Sequence, residues 1–474
     1  MRTKTHKNEG KKTLSKKAQI RAGLLLKDSP ASSHPGSRRS SRPASRYASE
    51  DESESLHGDG DDLEDSVTFS TASGEYDDED ASSAAAVEWP QQLRSCIADL
   101  TGGKRVSDAV RQTNLESFLR LVRRHVAHDE IRDSGLELIQ ALLKSIKSSD
   151  NAQERVLAMD ALAMTILTYN SESFSDTASI WKLVRNSLQT VCESAEDEAV
   201  KVHAVRALAT AFVFDCRSRE AAEPLLEFLV EIVESDGQAV GAENSSDLVV
   251  AAMQAWSFVA DVFADKGGDA ARAMEAFTDQ LESSDADVQL TAAAQIAFLF
   301  EAVRPPEDGE EGESGDSDSD NEDERPYLPY QPGALMPRLI TAARGSKAYS
   351  NGRRHSTGNW FRRIIASVDK GWALRHQTVW RSDVPGSWIV LEVDTMSAWV
   401  LMEHLKATLG KGFKEHLMGN AMVREVLDEA SVEVLEQRER PIKPTWGGGR
   451  DADVQQRVHE MDFLEAETRA YTDD

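Results

Sequence analysis

Four stretches in the middle of the chain consist almost entirely of alanine and larger apolar residues. Each follows a more amphipathic stretch in which apolar residues recur at positions i, i+3, i+4 and i+7, the spacing of one helix face. The apolar stretches lie 40 to 48 residues apart, so each amphipathic and apolar pair predicts one helical hairpin of a repeat. They begin at Val156, Val202, Val250 and Leu290.

A two-helix repeat of this length is typical of HEAT and armadillo proteins, in which stacked hairpins build a core that no hairpin builds alone. We therefore predict an all-α protein whose armadillo/HEAT-like α-solenoid spans residues 86–305, with an atypical first pair of helices beginning near Trp89. The apolar helix of each hairpin, its second helix, has a small residue at one equivalent position. This indicates that neighbouring helices approach closely there. These residues are Ala158, Ala204, Ala252 and Ala292.

The turns between the paired helices contain serine and aspartate. Such side chains accept hydrogen bonds from the free N–H groups at the start of a helix. We expect the turns Ser148–Asp150 and Ser283–Asp287 to cap the second helices that follow them.

The pattern changes in residues 383–440, which predict a small and mostly helical C-terminal module. Two short β-rich runs are joined at Pro385 and Gly386, which predicts a β-hairpin. A helix is expected from about Asp394 to a stop at Gly410, with one or two further helices after it. Residues 441–474 are predicted to be a flexible tail.

The formal charge of −28 is segregated into blocks rather than mixed along the chain. Residues 1–46 carry 13 Lys and Arg against two acids, whereas residues 50–80 carry 14 acids and no Lys or Arg. Both blocks are rich in serine and poor in apolar residues, so residues 1–85 are predicted to be disordered. Residues 306–330, with 11 acids, are predicted to be an acidic linker.

The cysteines and the N-terminus bear on location. Cys96, Cys192 and Cys216 are odd in number and scattered, which favours a reducing compartment over a disulfide framework. The N-terminus lacks the apolar run of a signal peptide, and no uncharged run reaches the roughly 18 residues that span a membrane. We expect a soluble protein that is cytoplasmic and also nuclear in some settings, with no membrane partner.

Residues 331–382 form a basic segment that bears aromatic residues. Arginine and lysine can hold RNA phosphates, while tryptophan and phenylalanine can stack on unpaired bases. Two alternatives remain open: the tryptophans can be core of the C-terminal module, and the arginines can fold back onto the acidic solenoid. The candidate RNA-binding residues are Arg353, Arg354, Trp360, Phe361, Arg362, Arg363, Lys370, Trp372 and Arg375.

Motifs for catalysis, cofactors and metals are not found. His125 and His128 have metal-ligand spacing but no partner motif, so we interpret them as surface or capping histidines. The glycines at Gly410 and Gly412 lack the spacing of a phosphate-binding loop and are interpreted as a helix break. We therefore predict no catalytic residue, no cofactor, no metal site and no small-molecule substrate.

Two regions resemble the interferon-related developmental regulator family. The first contains EIVESDGQAVGAENSSDLVVAAMQAWSFVAD and SSDADVQLTAAAQIAFLFE, and the second contains AWVLMEHLKATLGKGFKEHLMGNAMVREVLDEA. The resemblance covers residues 86–305 and 385–430, while the basic segment between them is similar only in character. It implies an armadillo-like, non-enzymatic regulator of gene expression, with ties to ribosome-bound control of translation and to nuclear transcriptional co-regulation.

From these observations we expect a solenoid scaffold that binds ribosomal RNA through the basic segment and restrains translation. The alternative is a nuclear co-regulator whose solenoid surface binds chromatin-associated proteins. The acidic blocks contain candidate sites for acidophilic kinases, because each serine has an acid three residues later. These sites are Ser49, Ser317 and Ser319.

Overall fold

A computed structural model defines the fold. The residues it describes are 85–102, 107–169, 180–263, 270–304, 328–349, 354–371, 376–382, 387–428 and 430–435. Almost all of the predicted tail 1–85, most of the linker 306–330 and all of the tail 441–474 lie outside the described residues, as do Ser49, Ser317 and Ser319.

Six helical hairpins can be followed through the described residues, and each consists of a first and a second helix. The first helices bury one face and expose the other, as their periodicity predicts. A short helix, α3 (His128–Ile131), connects the first two hairpins. The first helices are α1 (Ala85–Thr101), α4 (Gly135–Ser148), α6 (Ile180–Ser194), α8 (Arg219–Glu234), α10 (Ala270–Gln280) and α12 (Pro332–Tyr349).

The second helices pack side by side in one row, which we call the second-helix row. Ala158, Ala204, Ala252 and Ala292 are all fully buried there, as the sequence predicts for positions of close approach. The row runs in the order α2 (Asp108–Arg124), α5 (Ala152–Thr168), α7 (Glu198–Ala211), α9 (Ser246–Ala260), α11 (Ala286–Val303) and α13 (Arg354–Lys370). The armadillo/HEAT-like fold class is therefore confirmed.

The stack extends beyond the boundary expected at residue 305. Helices α12 and α13 pack on each other, and both pack against α11, so they form the sixth hairpin of the stack. The basic segment 331–382 therefore contributes a hairpin to the stack and is not separate from it. Its basic composition hides this, because Phe361, Ile364 and Val368 supply one apolar stripe in place of the alanine-rich pattern of the earlier second helices.

Capping side chains start several second helices. The Asp285 carboxylate accepts hydrogen bonds from the N–H groups of Asp287 and Val288 at 2.9 and 3.1 Å, as the turn sequence predicts. At the start of α5 the cap is Asn151, one residue beyond the expected turn Ser148–Asp150.

By length and composition alone, α11 could span a membrane, but most of it is buried inside the stack. Its neighbours are α9, α10, α12 and α13, together with the C-terminal module. Its apolar surface is thus covered by protein.

The C-terminal module combines helices with one small sheet. Strands β1 (His376–Arg381), β2 (Trp388–Val393) and β3 (Ser431–Leu435) form an antiparallel sheet in the order β1-β2-β3. In register, Val379 is opposite Val390, and Val390 is opposite Glu433. Its helices are α14 (Met396–Leu409), α15 (Phe413–Gly419) and α16 (Ala421–Val426), with a 3₁₀ turn at Gly410–Gly412.

Two predictions for this module are confirmed and one is wrong. The β1–β2 hairpin is present, and α14 ends at Gly410, whose φ of +56° explains the stop. Strand β3 lies in the stretch after α14 for which only further helices were expected. Pairing with β2 decides the conformation instead.

Candidate functional site

The structure separates the predicted RNA-binding residues into groups. Arg353, Trp372 and Arg375 lie outside the described residues. Arg354 is the first residue of α13, and only its backbone is described. Trp360, Phe361, Arg362, Arg363 and Lys370 are the candidates whose side chains can be placed.

The two aromatic candidates on α13 are core residues. Phe361 is fully buried and Trp360 is 8% exposed. The Trp360 ring packs against Trp399 and His376, with centroid distances of 5.2 and 4.9 Å. Neither ring offers a free face, so the folded arrangement does not fit base stacking by these two residues. It agrees with the alternative that they belong to the core.

The cations of α13 whose side chains can be placed are partly exposed. Arg362, Arg363 and Lys370 are half-buried. The guanidinium of Arg363 sits 5.1 Å from the centroid of the Trp360 ring, a cation–π arrangement that fixes its direction. Arg362 and Arg363 are adjacent in the sequence, whereas Lys370 lies two helical turns further along α13, beyond the buried Ala366 and Ser367.

The fold-back alternative is realised at Arg338. Arg338 on α12 forms ion pairs with Glu282 and Asp279 on the preceding hairpin, at 3.2 and 4.0 Å. These contacts are exposed, so each is worth at most about 1 kcal/mol. They tie the sixth hairpin to the fifth and remove Arg338 from the set of cations available to RNA.

The second-helix row is covered by the C-terminal module, a feature that sequence reasoning missed. Helix α14 packs on α5, α9 and α11 of the row. Its first turn is held by Glu301, whose carboxylate accepts hydrogen bonds from the N–H groups of Met396 and Ser397 at 2.8 and 3.0 Å. A carboxylate at a helix N-terminus also complements the helix dipole. The Ser397 hydroxyl donates to Asp261 at the end of α9.

His404 lies at the middle of this contact. Its ring stacks on Phe258 with a centroid distance of 4.0 Å, and its Nε2 is 3.3 Å from the Thr210 hydroxyl. Burial, together with the charge of Arg206, lowers the pKa of His404 to about 3. His404 is therefore neutral at physiological pH, which suits a fully buried ring.

The far end of the module reaches the first two hairpins. His416 contacts the carbonyl oxygen of Val122 at 2.8 Å, and the Asn420 side-chain amide donates to the carbonyl oxygen of Leu167 at 3.1 Å. A β-carbon on Gly412 would lie 2.3 Å from the carbonyl oxygen of Arg123, so only glycine allows this close approach. Together these contacts cover the row from α2 to α11.

The exposed side of the first helices is strongly acidic in α8 and α10. Exposed carboxylates recur along α8 at intervals of three and four residues. Arg272 is the cation held among them, with its Nη2 2.8 Å from Glu234. The carboxylates are Glu220, Glu223, Glu227, Glu231, Glu234, Glu275 and Asp279.

In the described residues, no group of three His, Cys, Asp or Glu side chains is placed to hold a metal ion. The two histidines considered as ligands have other contacts. His125 stacks on Trp89 with a centroid distance of 4.3 Å, and His128 Nδ1 lies 3.2 Å from the carbonyl oxygen of Thr168.

Comparison with known proteins gives the family. A profile of the interferon-related developmental regulator family matches residues 64–369, more than half of the chain. The matched range includes the sixth hairpin almost to its end and stops before the C-terminal module, where part of the sequence resemblance lies. An uncharacterized protein of Schizosaccharomyces pombe is 24% identical over 339 residues, covering 71% of this chain and 74% of its own length. The chain thus belongs to the interferon-related developmental regulator family, a family of regulators.

Proposed function

We propose that this protein is a non-enzymatic regulator of gene expression that binds ribosomal RNA through the basic residues of the sixth hairpin and restrains translation. Membership of a regulator family supports the general role. The observation that supports the specific proposal is the partial exposure of three cations on α13, Arg362, Arg363 and Lys370.

Arg362 is the strongest of these candidates. Among the described residues, its guanidinium forms no ion pair, whereas Arg363 is held over Trp360. Arg354 starts the same helix, and Arg353 precedes it in the sequence. A helix with this charge suits the regularly spaced phosphates of an RNA backbone.

Burial of Trp360 and Phe361 changes the expected mode of binding. With these rings in the core, affinity comes mainly from phosphate contacts and therefore depends on salt rather than on base identity. Such a protein would recognise the shape and charge of folded ribosomal RNA. The proposed location is the cytoplasm, with access to the nucleus.

A nuclear co-regulator is the alternative function. The acidic surface of α8 and α10 favours it, since this surface complements the basic segments common in chromatin-associated proteins. In that case the solenoid would carry its protein partners on the first helices, because the C-terminal module covers the second-helix row.

Sedimentation of the full-length protein with ribosomes on sucrose gradients tests the proposal. We expect co-sedimentation at low salt, with an affinity that falls at a log–log slope of about −0.7 to −0.9 per neutralised phosphate. The combined change Arg353→Glu, Arg354→Glu and Arg362→Glu should weaken association and flatten the slope. Arg363 is left unchanged because it packs on Trp360.

The matched control reverses Lys182 and Arg185, which are exposed cations on α6. Like the test variant, this control makes the net charge more negative. It should leave ribosome association close to that of the wild type. Equal loss in both variants would indicate a nonspecific charge effect. Absence of the wild-type protein from ribosomal fractions at low salt, in growing and in stressed cells, would refute ribosome binding and favour the co-regulator.

A further inference from the structure

The turn Gly410–Gly412 presses the C-terminal module against the end of α2, and it carries one lysine. Gly410 has a φ of +56°, a conformation that favours glycine. Gly412 lies so close to the carbonyl oxygen of Arg123 that a β-carbon would not fit between them. The turn therefore needs glycine at both positions, for two different reasons. Lys411 lies exposed between them.

This contact brings Lys411 to a group of cations on α2 that is nearly 300 residues away in the sequence. Arg124 directly follows Arg123 at the end of α2. Arg120 lies four residues before Arg124, a spacing that places the two side chains on one face of the helix. Both are exposed. Lys414, in the first turn of α15, adds a half-buried cation on the module side.

We call Arg120, Arg124, Lys411 and Lys414 the Lys411 surface. Acids offset part of its charge: the Lys414 ammonium lies 3.5 Å from Glu415, and the neighbouring Arg123 lies 3.0 Å from Asp160. Arg120 and Lys411 form no ion pair with any described residue. Since both are exposed, their charges are available to a ligand outside the chain.

The Lys411 surface and the cations of α13 lie at opposite ends of the second-helix row. Helix α2 is the first of the six helices in the row, and α13 is the last. Packed helices lie about 8–10 Å apart, so five steps separate the two ends by up to about 50 Å. A ligand that contacts both ends must be negatively charged over a comparable length. Folded RNA has this property.

We propose that the Lys411 surface is a second contact for the phosphates of the folded RNA that binds α13. This inference rests on the function proposed above, and it adds a requirement for the size and shape of the RNA. When one RNA reaches both surfaces, the second contact forms within the complex and raises the overall affinity. An RNA too short to span the row gains nothing from the second surface.

Lysine acetylation of the full-length protein, with and without purified ribosomes at low salt, tests both surfaces in one experiment. Mass spectrometry then measures the modification of each lysine. We expect ribosomes to remove most of the acetylation of Lys411 and of Lys370 on α13. Lys182, an exposed lysine on α6, is the internal control and should react equally in both samples.

The two lysines separate failure of this inference from failure of the proposed function. Protection of Lys370 without Lys411 would overturn the inference and leave binding through α13 in place. Protection of Lys411 without Lys370 would support the Lys411 surface and contradict binding through α13. Protection of neither, or equal protection of Lys182, would overturn both.

The combined change Arg120→Glu and Lys411→Glu is the second test. It should weaken ribosome association about tenfold or more, and flatten the log–log salt slope by about 0.7 to 0.9 for each phosphate no longer neutralised. Since both side chains are exposed, the melting temperature should match that of the wild type. Reversal of Lys182 and Arg185 serves as the matched control. Wild-type affinity and slope in the Arg120 and Lys411 variant would overturn the inference.

Discussion

The first and second helices of a hairpin have different surroundings, as α8 and α9 show. In α8, Leu225 and Leu229 face the core while Glu223 and Glu227 face solvent. In α9, every residue from Leu248 to Ala260 is buried. The second helix has neighbours in the row on both sides, a first helix behind it and the C-terminal module in front. Its composition therefore reflects the number of its neighbours.

The largest expected effect comes from the contact between the row and the module. Phe258 is fully buried on α9 and stacks on His404. Phe258→Ala should lower the free energy of unfolding by about 3–5 kcal/mol, because it leaves a cavity between them. Chemical denaturation measures this. Leu183→Ala, at an exposed position of α6, should lower the free energy of unfolding far less. Equal losses would contradict the proposed difference between first and second helices.

Close packing within the row gives the next largest effect. Ala204 and Ala252 are fully buried between neighbouring helices. Replacing either with leucine should overpack the row and cost about 1–3 kcal/mol in thermal or chemical unfolding. Ser284 lies exposed in a turn, and Ser284→Ala should have a much smaller effect. Harmless leucine substitutions would show that the assigned register of close approach is wrong.

The smallest expected effect is the pH dependence of stability that comes from the buried His404 on the covered side of the row. The pKa of His404 is about 3 in the folded chain, below its unfolded value of about 6.5. Between pH 3 and pH 6.5 the unfolded state binds more protons than the folded state. The contribution of the neutral His404 ring to stability is therefore fully present above pH 6.5 and decreases as the pH falls. For His404 alone, the loss from pH 7 to 5.5 should be about 1.3 kcal/mol.

His404→Gln removes this titration and should make unfolding less sensitive to pH by that amount. Urea denaturation at the two pH values measures it. The remaining sensitivity should include His376, whose pKa is lowered to about 3 by burial and by the charges of Lys406 and Arg363. Identical pH dependence in wild type and variant would show that His404 is not buried as a neutral ring.

Sequence patterns predicted what depends on local spacing. Repeat periodicity predicted the buried alanines of the row, because burial on one helix face recurs at a fixed spacing. Gly410 predicted the end of α14, because glycine readily adopts a positive φ. The sixth hairpin lacks the alanine-rich pattern, so its stacking could not be read from spacing. Strand β3 likewise depends on pairing with β2.

The candidate sites were less predictable for the same physical reason. Arg362 could be identified as a candidate from charge, but whether Trp360 faced a base or the core depended on Trp399, 39 residues away. The contact between Asp160 on α5 and His203 on α7 gave no sequence signal, since the two residues are 43 positions apart and each helix carries other charges, such as Glu154 and Lys201. Only the side-by-side packing of α5 and α7 brings them together.

The covering of the second-helix row by the C-terminal module also orders events during synthesis. The contacts of Asn420 with Leu167, and of His416 with Val122, join residues made late to hairpins made early. Such contacts of long sequence separation form slowly. Until the module leaves the ribosome, the row of a nascent chain has no cover and its apolar residues stay exposed to other chains. The early hairpins therefore complete their core only when the C-terminal module has been made.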